Sequence, residues 1–469
     1  QQVSSAASDV YKRQAIGYQA LDSNVSGSDS VAVGKGALQA FTGSSSVGGS
    51  VGVGRDALYS LTTGESHVAI GENAGYSVTT GNNTVAIGKL ALYANTGNDN
   101  TAVGHQTLQA NTTGTNNVAV GRDALNDNTT GDSNTAVGVY ALDASSGANE
   151  NTAMGYQSLT SCTTGEGHAA FGWRSLTACT TANDNTAFGH AAVRDTTTGA
   201  ENTAVGRAAL QVNTTGSNNT VLGSNALIAN TTASNNVAIG RRAMYGNTTG
   251  TANVAIGYQA LYTNTTQSEN VAVGYNALYN AAGNNNTAVG TEAGENLTTG
   301  YANTMMGHRA GEELTTSYQT TAIGAYALDD CTTGIKNTAL GWDAGGNVTT
   351  ANHSVYIGTD AGDGHTTGGN CIFIGNGSSA SAGGDSQAIC IGTSLTSKGN
   401  YYTTLGTDAN GRVYNYYPSN ATWTRDSDER LKKDIQTNTD CGLDFLKDLR
   451  TVTYKWKAPS EMPCLLYTS

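Results

Sequence analysis

The chain has 469 residues, with 60 glycines, 3 prolines, 38% hydrophobic and 13% charged residues, and a formal net charge of −13. No run of about 18 apolar residues is present to span a membrane, no Gly-X-Y period to make collagen, and charge is too sparse for a charge-driven disordered chain. Abundant glycine with little charge instead predicts tightly stacked backbone, and hence a repeat architecture.

The two ends are set apart from the rest. Ser8–Gln14 and Cys464–Ser469 match the translated ends of a sequencing transposon adapter read in opposite orientations. Residues 1–14 and 464–469 are therefore expected to be adapter-derived, the remainder being a translated piece of environmental DNA. Between them, residues 15–406 read as one repeat region, 407–426 as a connector and 427–463 as the start of a further domain.

From Gly17 to Gly406 a small-apolar-Gly motif recurs 24 times. Nineteen of its 23 spacings are 17 residues, and the others are 20, 16, 16 and 14. Asn117–Ser133 is one full unit. The Thr/Val-Ala-Val/Ile segment alternates and is β-branched, which predicts a short strand. The large apolar residue just before the glycine is expected to face the core. Ala102, Ala119 and Ala136 on the opposite face are expected to meet a second layer, such as a neighbouring chain. The motif glycine marks a corner or a positive φ. Ala124-Leu125 is expected to open a second strand that returns a side chain inward, with Gly75, Gly294, Gly311, Gly345 and Gly362 replacing the leucine in some units. The Asn-Thr-Thr-Gly segment is turn chemistry. The length changes fall in those turns, as insertions and deletions do.

A 17-residue unit is too short for a helical-hairpin repeat of about 33 residues. It predicts an all-β parallel β-solenoid or β-roll of about 23 coils. At about 4.8 Å per coil this makes a rod of roughly 110 Å. Asn100, Asn117, Asn134, Asn151 and their equivalents, four residues before each glycine, predict a buried hydrogen-bonded ladder. Scarcity of proline follows, since proline cannot donate to a ladder. So small a coil encloses a thin interior, which predicts lateral association of several chains.

The Val-Ala-Ile-Gly segments, such as Val68–Gly71, Val237–Gly240 and Val254–Gly257, resemble the head repeats of trimeric autotransporter adhesins and the related shafts of phage tail fibres. That resemblance spans about 390 residues and implies a left-handed parallel β-roll assembled as a homotrimer. Adhesin heads commonly use a shorter coil, which is where this chain departs from them.

After Gly406 the composition changes and the acidic excess is lost, and a tyrosine-rich stretch (Tyr401, Tyr402, Tyr414, Tyr416, Tyr417) leads into the next segment. Ser427-Asp428-Glu429-Arg430-Leu431-Lys432-Lys433 follows. Then comes a helix pattern with Asp440 as its N-cap and Leu443, Leu446 and Leu449 on one stripe. Val452, Tyr454 and Trp456 alternate as in a strand. This α+β segment resembles the start of the endosialidase-type intramolecular chaperone domain that ends many phage fibres. The resemblance implies that the domain aligns three chains and then cuts itself off between Asp426 and Ser427, with Ser427 as nucleophile and Lys432 as its partner. A serine hydroxyl needs a base to take its proton, and lysine serves only where neighbours lower its pKa. Arg430 and Lys433 are expected to supply such a field, and Asp428 to orient the cluster.

Other signals are weaker. Cys162 and Cys179, like Cys371 and Cys390, form no C-x-x-C pair, so zinc or redox chemistry has no motif behind it and the cysteines are expected to be small core residues. His105, His190 and His308 each follow a motif glycine at a variable, exposed position, without metal-site spacing. The Asn-Thr-Thr strings match a glycosylation pattern but recur with the coil, so they read as turns. No metal, cofactor, nucleic-acid partner or membrane insertion is expected, the acidic balance disfavouring nucleic acid. Together the resemblances imply a structural attachment protein, a tail-fibre shaft in a virion. Its partners would be two further copies, other tail proteins and a host cell-surface receptor or glycan. The alternative is a trimeric autotransporter-type adhesin on a bacterial surface. An enzyme acting on surface glycans ranks last, because no fixed pair of carboxylates stands out.

Overall fold

A computed structural model describes residues 13–24, 29–42, 49–407, 411–418 and 424–425. The β-branched segments before each motif glycine form 24 short strands, from Arg13–Ile16 to Tyr402–Leu405. Each pairs in parallel with the next. Ala119 lies against Ala102 on one side and Ala136 on the other. The register survives the short coils, where Val85 pairs with Thr101 and Val271 with Thr287. The loss of a residue is absorbed in the turns. The fold is thus an all-β parallel solenoid with a 17-residue repeat, and no helix occurs among the described residues. At its C-terminal end the last parallel strand is covered by an antiparallel one, Val413–Tyr416, with Leu405 opposite Val413.

The strand faces are the reverse of the sequence expectation. Ala102, Ala119 and Ala136 are wholly buried inside the coil. The large residues next to the glycine point outward. Volume explains this. The leucine four residues after each glycine, such as Leu125, is wholly buried, and a thin interior has room for a leucine on one wall only if the facing wall carries alanine.

Nor does Ala124-Leu125 start a second strand. In most coils the six residues after the motif glycine form a turn, and after Gly121 Asp123 and Leu125 take φ of 57° and 51° in it. Left-handed leucine costs roughly 1–2 kcal/mol. It is held there by the stack: its N–H donates to Ala141 O at 3.0 Å, while Asp123 N–H reaches back to His105 O at 3.0 Å. The whole coil, turns included, is therefore hydrogen-bonded to its neighbours.

Two glycines show what this geometry excludes. Gly121 has φ +133°, and a Cβ there would lie 2.7 Å from the Gly138 carbonyl carbon of the next coil. Gly294 stands at a leucine position with φ +61°, and a Cβ there would lie 2.7 Å from Met305 Sδ. The Gly294 and Gly311 coils recover the lost volume elsewhere, from Leu297 and Leu314 in the turn and from Met305 on the strand, all wholly buried.

Candidate functional site

Alternation along each three-residue strand puts its first and third residues on the outside. Stacked in register, they make two columns, one mostly of Thr and Val with Ala169, Ile372 and Ile389, the other of Val, Ile, Leu, Met and Phe. The second column is open to solvent on the single chain. Phe188 is 55% exposed, Leu222 49% and Leu340 47%. Isolated exposed apolar residues are ordinary, whereas a contiguous stripe marks an interaction surface.

Beside it, the residue after each glycine is variable. Arg55, Glu72 and Lys89 alternate in sign, with Lys89 Nζ 3.2 Å from Glu72 and Arg55 paired to the same carboxylate. His105, His190 and His308 are exposed in this column, as expected. His190 stacks on Trp173 at 4.4 Å, and His308 meets the Tyr326 ring edge-on. A further column stacks Tyr59, Tyr76 and Tyr93 at 5.1 and 5.2 Å. Each ring spends its face on the next, so only edges remain for a ligand.

Inside, the expected asparagine ladder is present. Asn117 Nδ2 donates to Gly131 O at 2.8 Å and closes its own coil. Its Oδ1 accepts the Asn134 N–H of the next coil. Asn100, Asn117, Asn134 and Asn151 are all wholly buried. A second ladder was hidden in the Asn-Thr-Thr-Gly turn. Its asparagine is also wholly buried, and Asn230 Nδ2 donates to Asn213 Oδ1 at 2.8 Å. These asparagines are structural, which supports the turn reading of the Asn-Thr-Thr strings. The signal was the fixed offset of seven residues from the motif glycine.

The second ladder breaks where Ser145, Cys162, Cys179 and Thr196 take the asparagine position. Among the described residues, Asn128 Oδ1 and Ser145 Oγ are buried there without a hydrogen-bond partner. The five described cysteines are all buried and free, as expected of core residues. What the motif search missed is a convergence. Cys162 Sγ, Cys179 Sγ and a His168 ring nitrogen lie within 4.8 Å of one another.

Ser427, Lys432, Asp428 and Arg430, the bond between Asp426 and Ser427, and the helix and strand expected beyond them lie outside the described residues. The adapter-matched ends lie outside them too, except for Arg13 and Gln14 in the first strand.

Residues 427–463 match the family of the chaperone of endosialidase. The match begins at Ser427 and takes in all four residues named for self-cleavage. No curated protein matches the chain.

Proposed function

We propose that the chain is a tail-fibre-type structural protein, a shaft of three parallel copies whose outward strand columns pack against one another. The carrying observation is the exposed apolar column. It repeats at the coil spacing of about 4.8 Å along every strand. A partner that matches this pitch over the whole length must itself be a stack of the same pitch, and another copy in register meets that demand. Burying the column removes from water the half of each side chain still exposed, worth roughly 1 kcal/mol apiece.

The C-terminal match supports the number three and the means of alignment. In this reading, residues from Ser427 onward belong to an intramolecular chaperone that brings three chains into register. Lys432 takes the Ser427 hydroxyl proton and Ser427 Oγ attacks the Asp426 carbonyl. The Asp426–Ser427 amide bond breaks as the proton passes to the leaving nitrogen, and water then hydrolyses the ester, so that the chaperone leaves once the shaft is folded. The assembled shaft belongs to a virion and holds weak contacts to a host receptor or glycan in multiple copies, where avidity multiplies them. The chaperone match favours this fibre over a bacterial surface adhesin. Sedimentation equilibrium of the purified chain tests the assembly. A mass three times that of one chain is expected, and a stable monomer at micromolar concentration overturns the proposal.

A further inference from the structure

We propose that Cys162 and Cys179 form a coil-to-coil disulfide when the chain folds in an oxidising medium. The two cysteines hold the same place, seven residues after Gly155 and Gly172, in adjacent coils. Their strands are paired in register, Ala153 against Ala170. Stacked coils lie about 4.8 Å apart, inside the Cα separation of about 4.4–6.8 Å that a disulfide needs. Both residues are wholly buried. They sit where the asparagine ladder is interrupted, so a covalent link there replaces the missing rung.

The neighbouring histidine favours this link over a metal. Asn185 N–H donates to His168 Nδ1 at 3.1 Å. That nitrogen is therefore an acceptor, and the ring proton sits on Nε2, which donates to Ala182 O at 2.7 Å. His168 reproduces the two roles of the ladder asparagine, Oδ1 as acceptor and Nδ2 as donor. A metal on Nε2 would displace the proton and break the rung. Nε2 also lies 3.3 Å from Cys179 Sγ. The contact between the two thiols draws Cys162 well below its ordinary range, to about 5, while the same contact and burial push Cys179 up. The two thiols titrate as a pair and share one thiolate, as a thiol–disulfide exchange requires.

With a small disulfide such as oxidised glutathione as oxidant, the thiolate of one cysteine attacks one glutathione sulfur and expels the other as thiolate. The second cysteine, deprotonated in turn, attacks the sulfur of the first and expels the second glutathione thiolate. The cysteines lose two electrons to glutathione, and their two protons pass to the expelled thiolates. Because neither sulfur reaches solvent in the finished stack, the exchange occurs while the coils assemble.

The test is refolding of the full chain in oxidised and in reduced glutathione buffers, alkylation of remaining thiols, and peptide mapping without reductant. A dominant Cys162–Cys179 linked peptide is expected in the oxidised sample alone, with amide exchange across residues 160–180 slowed about tenfold. Free, alkylated Cys162 and Cys179 after oxidised refolding overturns the proposal, as do links scattered among Cys331, Cys371 and Cys390. So does stoichiometric zinc that protects the two thiols when the chain is refolded with zinc alone. The double variant Cys162→Asn/Cys179→Asn, which offers asparagine at both positions, should fold and show no exchange difference between the two buffers.

Discussion

Asn134 donates its backbone N–H to Oδ1 of Asn117, one coil earlier, at 3.0 Å. This bond is buried and has no water to replace it. Asn117→Ala should therefore cost about 1–3 kcal/mol, the penalty for an orphaned buried donor. Hydrogen exchange should show the loss concentrated near residues 117–134. Uniform loosening of every coil would contradict a local rung.

Asn128 Oδ1 and Ser145 Oγ lack partners in the stack. Ser145→Asn should extend the second ladder by one rung, its Nδ2 donating to Asn128 Oδ1. A gain of about 1 kcal/mol in denaturant unfolding is expected. A loss would mean that the interior at Ser145 has no room for the amide.

Gly294 and Met305 divide one space between them. Gly294→Ala should destabilise the chain through both the left-handed backbone and the collision with Met305. In a Met305→Ala background the collision with Met305 disappears, leaving the backbone cost and a tight contact with Leu278 Cδ2 at 3.1 Å. A double-mutant cycle should return a coupling of about 0.5–3 kcal/mol, and additive effects would refute the shared volume.

Phe188→Glu with Leu222→Glu places charges on the outward column without touching the coil interior. Far-ultraviolet dichroism should keep its β signature while sedimentation shows smaller particles. Unchanged assembly would remove this face from the interface.

Burial holds the His67 and His365 imidazoles below their ordinary range, against the upward pull of the carbonyls of Gly81 and Asp385. The unfolded chain thus takes up protons first. Their contribution is complete above the free histidine value of about 6.5 and is lost as pH falls through the lower folded values. His67→Asn, the residue most coils carry at this place, should flatten the acid limb of a thermal melting series from pH 7 to 5. Asp143 and Asp329 act in the opposite sense. Burial first, then neighbouring aspartates, push both up to about 6. Their contribution is present in acid and lost as pH rises through that value, with solvent screening part of it.

The recurring glycine made the stack legible from sequence, and Asn117 with its equivalents made the first ladder legible. The orientation of the strand was not. Ala119 and Val120 alternate in either orientation, and only the turn's Leu125, filling the interior from the opposite wall, decides which one points in. The outward column has the composition of a core, so Val120 reads as core. The cysteine cluster was within reach of simple counting, since Cys162, Cys179 and His168 hold fixed offsets from Gly155 and Gly172. Motif spacing hid it because the partners sit a full turn of the solenoid apart.

Neighbouring coils meet through the same atoms, Ala119 touching Ala136 as it touches Ala102. If one whole unit is deleted from the gene, the coils brought together already fit. Among the regular Ala-Leu coils the length of the stack can then change by recombination between units, whereas the Gly294 and Gly311 coils, which share volume with Met305, must move together.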